Sequence, residues 1–201
     1  MKIFFIFFGC LFITACWWEE PQEAGVLDVF STQANFVVSP DTSDVKVNDT
    51  IWFSFDASNL FVAPTGKSKN ISNGNFVLNT FLYKRASWNP DFLWERASVT
   101  NCKVVSVIGS YLLNTVSNSI QSITPVYSNG KYSIKVGFIP LYADTYWVEI
   151  NAAKEERGGF AVALNASFTN TKQNIDLLLP GLDGYANYPT KRPYIYAFVV
   201  H

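Results

Sequence analysis

The chain has 201 residues, with 15 Lys+Arg against 16 Asp+Glu and a single His, for a formal net charge of −1. That balance, with no Lys/Arg run, excludes an electrostatic footprint for nucleic acid and a basic patch for anionic lipid. Aromatic residues make up 16% and charged residues 15%, which demands a large aromatic core, an exposed aromatic surface or both, in a length that suits one domain or two small ones.

Lys2 gives the chain a positive start, and Ile3 to Ala15 are uncharged and almost all apolar. At ~1.5 Å per helical residue this run is too short for the ~30 Å hydrocarbon core. It reads as the h-region of a cleaved secretory signal over residues 1–15. The ending Ile13-Thr14-Ala15-Cys16 resembles the lipobox of bacterial lipoproteins, whose invariant Cys carries the lipid, so Cys16 is the expected acylation site. Cys10, preceded by bulky Phe7-Phe8, is the poorer acceptor. Several acyl chains at ~0.8 kcal/mol per buried CH₂ anchor a protein to the membrane permanently. Residue 17 is Trp, not the Asp of inner-membrane retention, and Trp17-Trp18-Glu19-Glu20 resembles the surface-export signal of Bacteroidetes-type lipoproteins. Residues 16–25 then form a lipidated tether, and residues 26–201 a single β-sandwich domain.

Val26–Phe30 and Asn35–Val38 are brief β-type runs, followed by turn residues from Ser39 to Asp44. Val45-Lys46-Val47-Asn48-Asp49-Thr50-Ile51-Trp52-Phe53-Ser54-Phe55 is the best-patterned stretch. Val45 and Val47 alternate around Lys46, Asn48-Asp49 makes a turn, and Ile51, Phe53 and Phe55 share one strand face. This form resembles the V-x-V-G-D-x-V-x-F signature of bacterial immunoglobulin-like and PKD-like domains. Asn48 stands in place of Gly, and Asn tolerates the left-handed backbone such a turn uses. Asp49-Thr50-Ile51 also resembles the D-[S/T]-aliphatic acceptor of O-glycosylation in the same bacterial group.

Ala57–Asn75 is loop-rich. Phe76–Tyr83 resumes β character, and Arg85–Arg96 reads as an insertion containing Trp88 and Trp94. Val99–Ile108 alternates, Ser110–Ser119 suits a loop or short helix, and Asn129-Gly130 between Ile120–Tyr127 and Lys131–Ile139 is a strong hairpin signal. Asp144-Thr145-Tyr146 resembles the tyrosine corner of immunoglobulin-like sandwiches. Gly158–Phe168 is another strand, Leu179–Pro193 a long Gly/Pro/Tyr loop holding Tyr185 and Tyr188, and Tyr194–Val200 the last strand. With roughly nine or ten short strands and no convincing amphipathic helix, the expected fold is an all-β, immunoglobulin-like Greek-key sandwich.

The chemistry on offer is narrow. The one His is residue 201, which leaves no tethered imidazole for a Ser or Cys nucleophile. The His and Cys count rules out zinc sites of that type, and no Gly-rich phosphate loop is present. Cys102 lies in a strand-like run without a disulfide partner in the mature chain and reads as a small buried hydrophobe. Glu155-Glu156 reads as a solvated hairpin tip, not a catalytic pair. Asp41, Asp44 and Asp49 match no Ca²⁺ loop. No cofactor and no metal are expected. Rings on loops bind sugars or anchor proteins, so Trp88, Trp94, Tyr185 and Tyr188 are the candidate binding residues, set against the alternative that they cover the ends of the core. The expectation is a non-enzymatic outer-membrane lipoprotein at the cell surface, held by its N-terminal lipid and capturing a glycan or a protein. Fimbrillin-type adhesin subunits are the first alternative. They mature by cleavage after an Arg, for which Arg85 and Arg96 lie deep in the chain. A carboxylate glycosidase is the second.

Overall fold

The computed structural model describes residues 30–42, 44–72, 76–85, 94–155, 163–165, 172–179 and 194–201, with backbone alone for 152–155, 163–165 and 172–179. The expected signal, Cys16, the expected tether, Trp88, Glu156, Tyr185 and Tyr188 lie outside the described residues. Among the described residues there are sixteen strands: β1 (Phe30–Ser39), β2 (Asp44–Val45), β3 (Ile51–Ser58), β4 (Leu60–Val62), β5 (Ser68–Asn70), β6 (Phe76–Arg85), β7 (Trp94–Arg96), β8 (Cys102–Ile108), β9 (Ser110–Leu113), β10 (Ile120–Thr124), β11 (Val126–Ser128), β12 (Lys131–Pro140), β13 (Asp144–Glu155), β14 (Ala163–Asn165), β15 (Lys172–Leu179) and β16 (Tyr194–Val200).

They form two sheets. The first is ordered β11-β12-β3-β1-β15-β14, with β8 also on β12 and the β4–β5 pair attached to β1. The second is ordered β2-β16-β13-β6-β10-β9, with β7 also on β6. The chain visits β3, β6, β8, β12, β13 and β16 as first, second, first, first, second and second sheet. This order is compatible with an immunoglobulin-like Greek key. In addition β1 pairs with β3, β2 runs parallel to β16, and β14 and β15 return to the first sheet beyond β1.

Alternation explains which faces meet. In β3, Ile51, Phe53, Phe55 and Ala57 are buried while Trp52 and Ser54 are half-buried and Asp56 is exposed. Rings from both sheets interlock between them. Phe36 of β1 lies 4.3 Å from Tyr194 of β16, measured between ring centroids. Phe53 meets Phe138 edge-on at 5.1 Å and Tyr196 at 5.8 Å, and Phe76 of β6 meets Tyr132 of β12 at 5.1 Å. Edge-to-face pairs at these separations add to the area each ring buries. Much of the aromatic content is therefore core. Three buried tyrosines also fasten loops: Tyr132 Oη donates to Ile71 O (2.9 Å), Tyr146 Oη to Tyr142 O (3.2 Å) and Tyr196 Oη to Thr42 O (2.6 Å).

The turns follow their residue types. Asn48 takes φ +70°, its N–H donates to Pro140 O (2.9 Å), and Asp49 Oδ2 accepts from Lys46 N (3.0 Å). Asn129 and Gly130 both have positive φ, 51° and 75°, and close the β11–β12 hairpin with Ser128 opposite Lys131. Positive φ at both central residues suits the right-handed twist of the flanking strands. Tyr146 Oη also reaches Asn101 O (3.3 Å), so the Tyr at the start of β13 bonds back to upstream backbone as a tyrosine corner does.

The strand count exceeds the nine or ten expected because short edge segments join the ladders without a hydrophobic alternation to announce them. β4 and β5 form within the loop-rich stretch, β9 replaces the expected loop or helix after Ser110, and β15 pairs along β1 from Phe30↔Leu179 to Val37↔Lys172. Lys172-Gln173-Asn174 shows no β pattern. The pairing of β15 with a neighbour distant in sequence, not local propensity, defines that strand.

Candidate functional site

The outer face of the second sheet carries the chemistry that the core does not consume. In β13, Tyr146, Val148 and Ile150 point inward, which turns Trp147 and Glu149 outward. In β6, Leu78 and Leu82 are buried, so Phe81 and Tyr83 share the face of Trp147. Register then builds the cluster. Trp147 pairs with Tyr83, Tyr83 with Arg96, and Arg85 with Trp94. The Trp147 ring lies 5.8 Å from Tyr83 and 5.3 Å from Trp94, the two indoles meeting edge-on at 81°. Phe81 sits 6.4 Å from Tyr83, and the Arg96 guanidinium lies 4.3 Å over the Phe81 ring. All four rings are half-buried and Arg85 and Arg96 are exposed. On the same face Glu149 accepts a hydrogen bond from Asn151 Nδ2 (2.6 Å).

Trp94 thus lies neither in an irregular insertion nor over an end of the core. It is in a three-residue strand that hydrogen-bonds to β6. Lys84 and Glu95, paired across those strands, form a salt bridge on the opposite side, in the row of Tyr146. That ion pair helps to hold β7 in register, and with it the Trp94 ring. The Trp147 Nε1 donor is buried and, among the described residues, has no hydrogen-bond partner. An unmet buried donor costs about 1–3 kcal/mol.

Trp147 is the residue that reading by loops misses. Its signal was in the sequence: it follows a corner Tyr in a strand whose buried partners are Tyr146, Val148 and Ile150, so alternation alone turns it outward. Of the remaining candidates, Trp88, Tyr185 and Tyr188 lie outside the described residues. Cys102 is fully buried, and burial pushes its thiol from an ordinary 9.0 up to about 12, which leaves it protonated and inert as a nucleophile. His201 Nε2 lies 2.7 Å from Asp44 Oδ1, with both side chains largely exposed. This imidazole ends its strand in solvent. Among the described residues no group of three or more His, Cys, Asp or Glu side chains is placed to hold a metal ion.

No protein-family model matches the chain, and comparison with curated proteins and with solved structures likewise returns no match.

Proposed function

We propose that this protein is a lipid-anchored lipoprotein of the bacterial cell envelope, acylated at Cys16, whose sandwich is a non-catalytic binding module for a glycan or a protein at the cell surface. One observation carries the reading: Phe81, Tyr83, Trp94 and Trp147 gather on the sheet face turned away from the core formed by the described residues. Half-buried rings flanked by exposed Arg85 and Arg96 suit a ligand with both apolar faces and hydrogen-bonding groups. The Trp147 donor, unmet among the described residues, supports it further, since a face kept only for packing gains nothing from that cost. Kinship with the immunoglobulin-like or PKD-like domains of Bacteroidetes-type surface lipoproteins draws support from the left-handed Asn48 turn, the Tyr146 corner and the strand order.

The test is a capture screen with the full chain, against an array of bacterial and host glycans and a panel of extracellular proteins. Saturable binding to a member of either set is expected. Hydrolysis of a glycan by the protein with its fold intact contradicts the non-catalytic reading.

A further inference from the structure

Both arginines of the described residues, Arg85 and Arg96, are exposed on the ring-bearing face of the second sheet. The β6–β7 register sets them in a checkerboard. Tyr83 stands opposite Arg96 and Arg85 opposite Trp94, so the two rings occupy one diagonal and the two guanidinium groups the other. Diagonal neighbours in an antiparallel pair lie about 7–8 Å apart, close enough for both arginines to reach one acid group. From Tyr83 the floor of rings continues along β6 to Phe81 and across to Trp147 on β13. At its Phe81 end the pairing changes character: Glu149 lies opposite Phe81, and its Oε1 accepts from Asn151 Nδ2 (2.6 Å). The face therefore carries cationic donors at one end, rings in the middle and a carboxylate acceptor at the other. Other acids of this sheet stand apart from it. Asp44, three strands from β6, pairs with His201, and Glu95 bonds to Lys84 on the opposite side of the β6–β7 pair.

Each part selects a feature of the ligand. Guanidinium forks match a carboxylate or sulfate, with two parallel hydrogen bonds apiece. A floor of rings takes a flat apolar face, and a carboxylate acceptor takes hydroxyl donors. An acid group, a C–H face and hydroxyls on one small unit describe an acidic sugar. An acidic peptide would satisfy the arginines, but rings that anchor a protein interface fill pockets in the partner. These four are half-buried and packed on one another, so they offer a shallow surface and not a projecting anchor. We propose that this face takes an acidic saccharide, with its acid group between Arg85 and Arg96, its C–H face on Tyr83, Trp94 and Trp147, and hydroxyls donating to Glu149. The inference rests on the binding role proposed above and adds to it the charge of the ligand.

The experiment titrates the full chain, in a neutral detergent, with oligosaccharides of galacturonic, mannuronic and sialic acid, each beside its methyl ester, and with dextran sulfate beside dextran. At least one acidic form should bind, with its uncharged counterpart weaker by about tenfold or more. Affinity should fall as salt rises from about 0.05 M to about 0.5 M, because the arginines are exposed and screened. Arg85→Gln and Arg96→Gln should each weaken binding by about tenfold or more with little change in melting temperature. Lys103→Gln removes an exposed positive charge from β8 of the first sheet and should leave affinity unchanged. Equal binding of acidic and uncharged forms, or wild-type affinity in both arginine variants, overturns the proposal. So does polyglutamate that binds as tightly as the best acidic sugar, because the face would then serve an acidic protein. If no acidic saccharide binds while the capture screen returns a neutral glycan or a protein, the charge is misassigned and the binding role stands. If the screen also returns nothing, both fall.

Discussion

Truncating Phe53 to Ala measures how far the interlocked rings hold the two sheets together. Phe53 is 1% exposed and lies within 5.1 to 6.3 Å of Phe138, Phe36, Tyr194 and Tyr196, the two tyrosines on the opposite sheet. Removal of a buried Phe ring costs about 3–5 kcal/mol, with the larger values where the site cannot collapse. Collapse is difficult here, because the lining rings come from strands fixed in two separate ladders. Each lost edge-to-face pair adds about 0.5–1.5 kcal/mol beyond area. The expected loss lies in the upper half of that range, about 4 kcal/mol. Urea unfolding of wild type and variant, followed by tryptophan fluorescence, reads it directly. With a slope of about 1–3 kcal/mol per molar, the midpoint should fall by at least about 1.3 M while the slope stays unchanged. A loss below about 1 kcal/mol would mean that the rings pack loosely enough to refill the space, and the reasoning from the core fails.

Tyr146→Phe removes the donor that reaches Tyr142 O and Asn101 O and should cost about 1–3 kcal/mol by leaving a part-buried carbonyl unmet. Burial pushes the Tyr146 phenol from 10.0 up to about 12 and the Cys102 thiol from 9.0 up to about 12. Both pKa values are raised on folding, so their stabilisation is complete below about pH 9 and is lost as the pH rises towards 12; a melting-temperature profile across that window should fall, and a flat one contradicts it. Cys16→Ser should abolish incorporation of labelled palmitate, and continued labelling refutes the assigned acceptor. The Glu155→Gln, Glu156→Gln double variant should leave glycan or protein capture unchanged within twofold, a shift of about 0.4 kcal/mol at most. A larger loss with the fold intact would give the acid pair a role.

The parts of the fold that local chemistry dictates were legible. Alternation in Ile51-Trp52-Phe53-Ser54-Phe55 assigns the buried face residue by residue, Asn129-Gly130 marks its hairpin, and Asn48 and Tyr146 mark a left-handed turn and a corner. What local pattern cannot supply is partnership between distant segments. β15 is a strand because β1 lies beside it, and Trp94 is part of a sheet because Arg85 and Tyr83 pair with its strand. The candidate site was half legible for the same reason. Trp94 was recognisable as an unusual ring, but its neighbour Trp147 stands 53 residues on in the sequence and reaches it only through the β6–β13 and β6–β7 registers. Attention to loops concealed a candidate site that lies on strands.

The central claim is that the outer rings bind and do not merely pack, and a paired measurement on Trp94→Ala separates the two. Ligand capture by the variant is compared with wild type for a ligand found in the screen, and the melting temperature of both is taken in the same buffer. Trp94 is half-buried and, among the described residues, meets Trp147 edge-on, so its loss should cost folding less than the roughly 3–5 kcal/mol of a fully buried ring. Capture should weaken by about 2 kcal/mol or more, roughly thirtyfold in dissociation constant, if the indole is a binding anchor. Unchanged affinity together with a large fall in melting temperature would make the face a packing device and contradict the account.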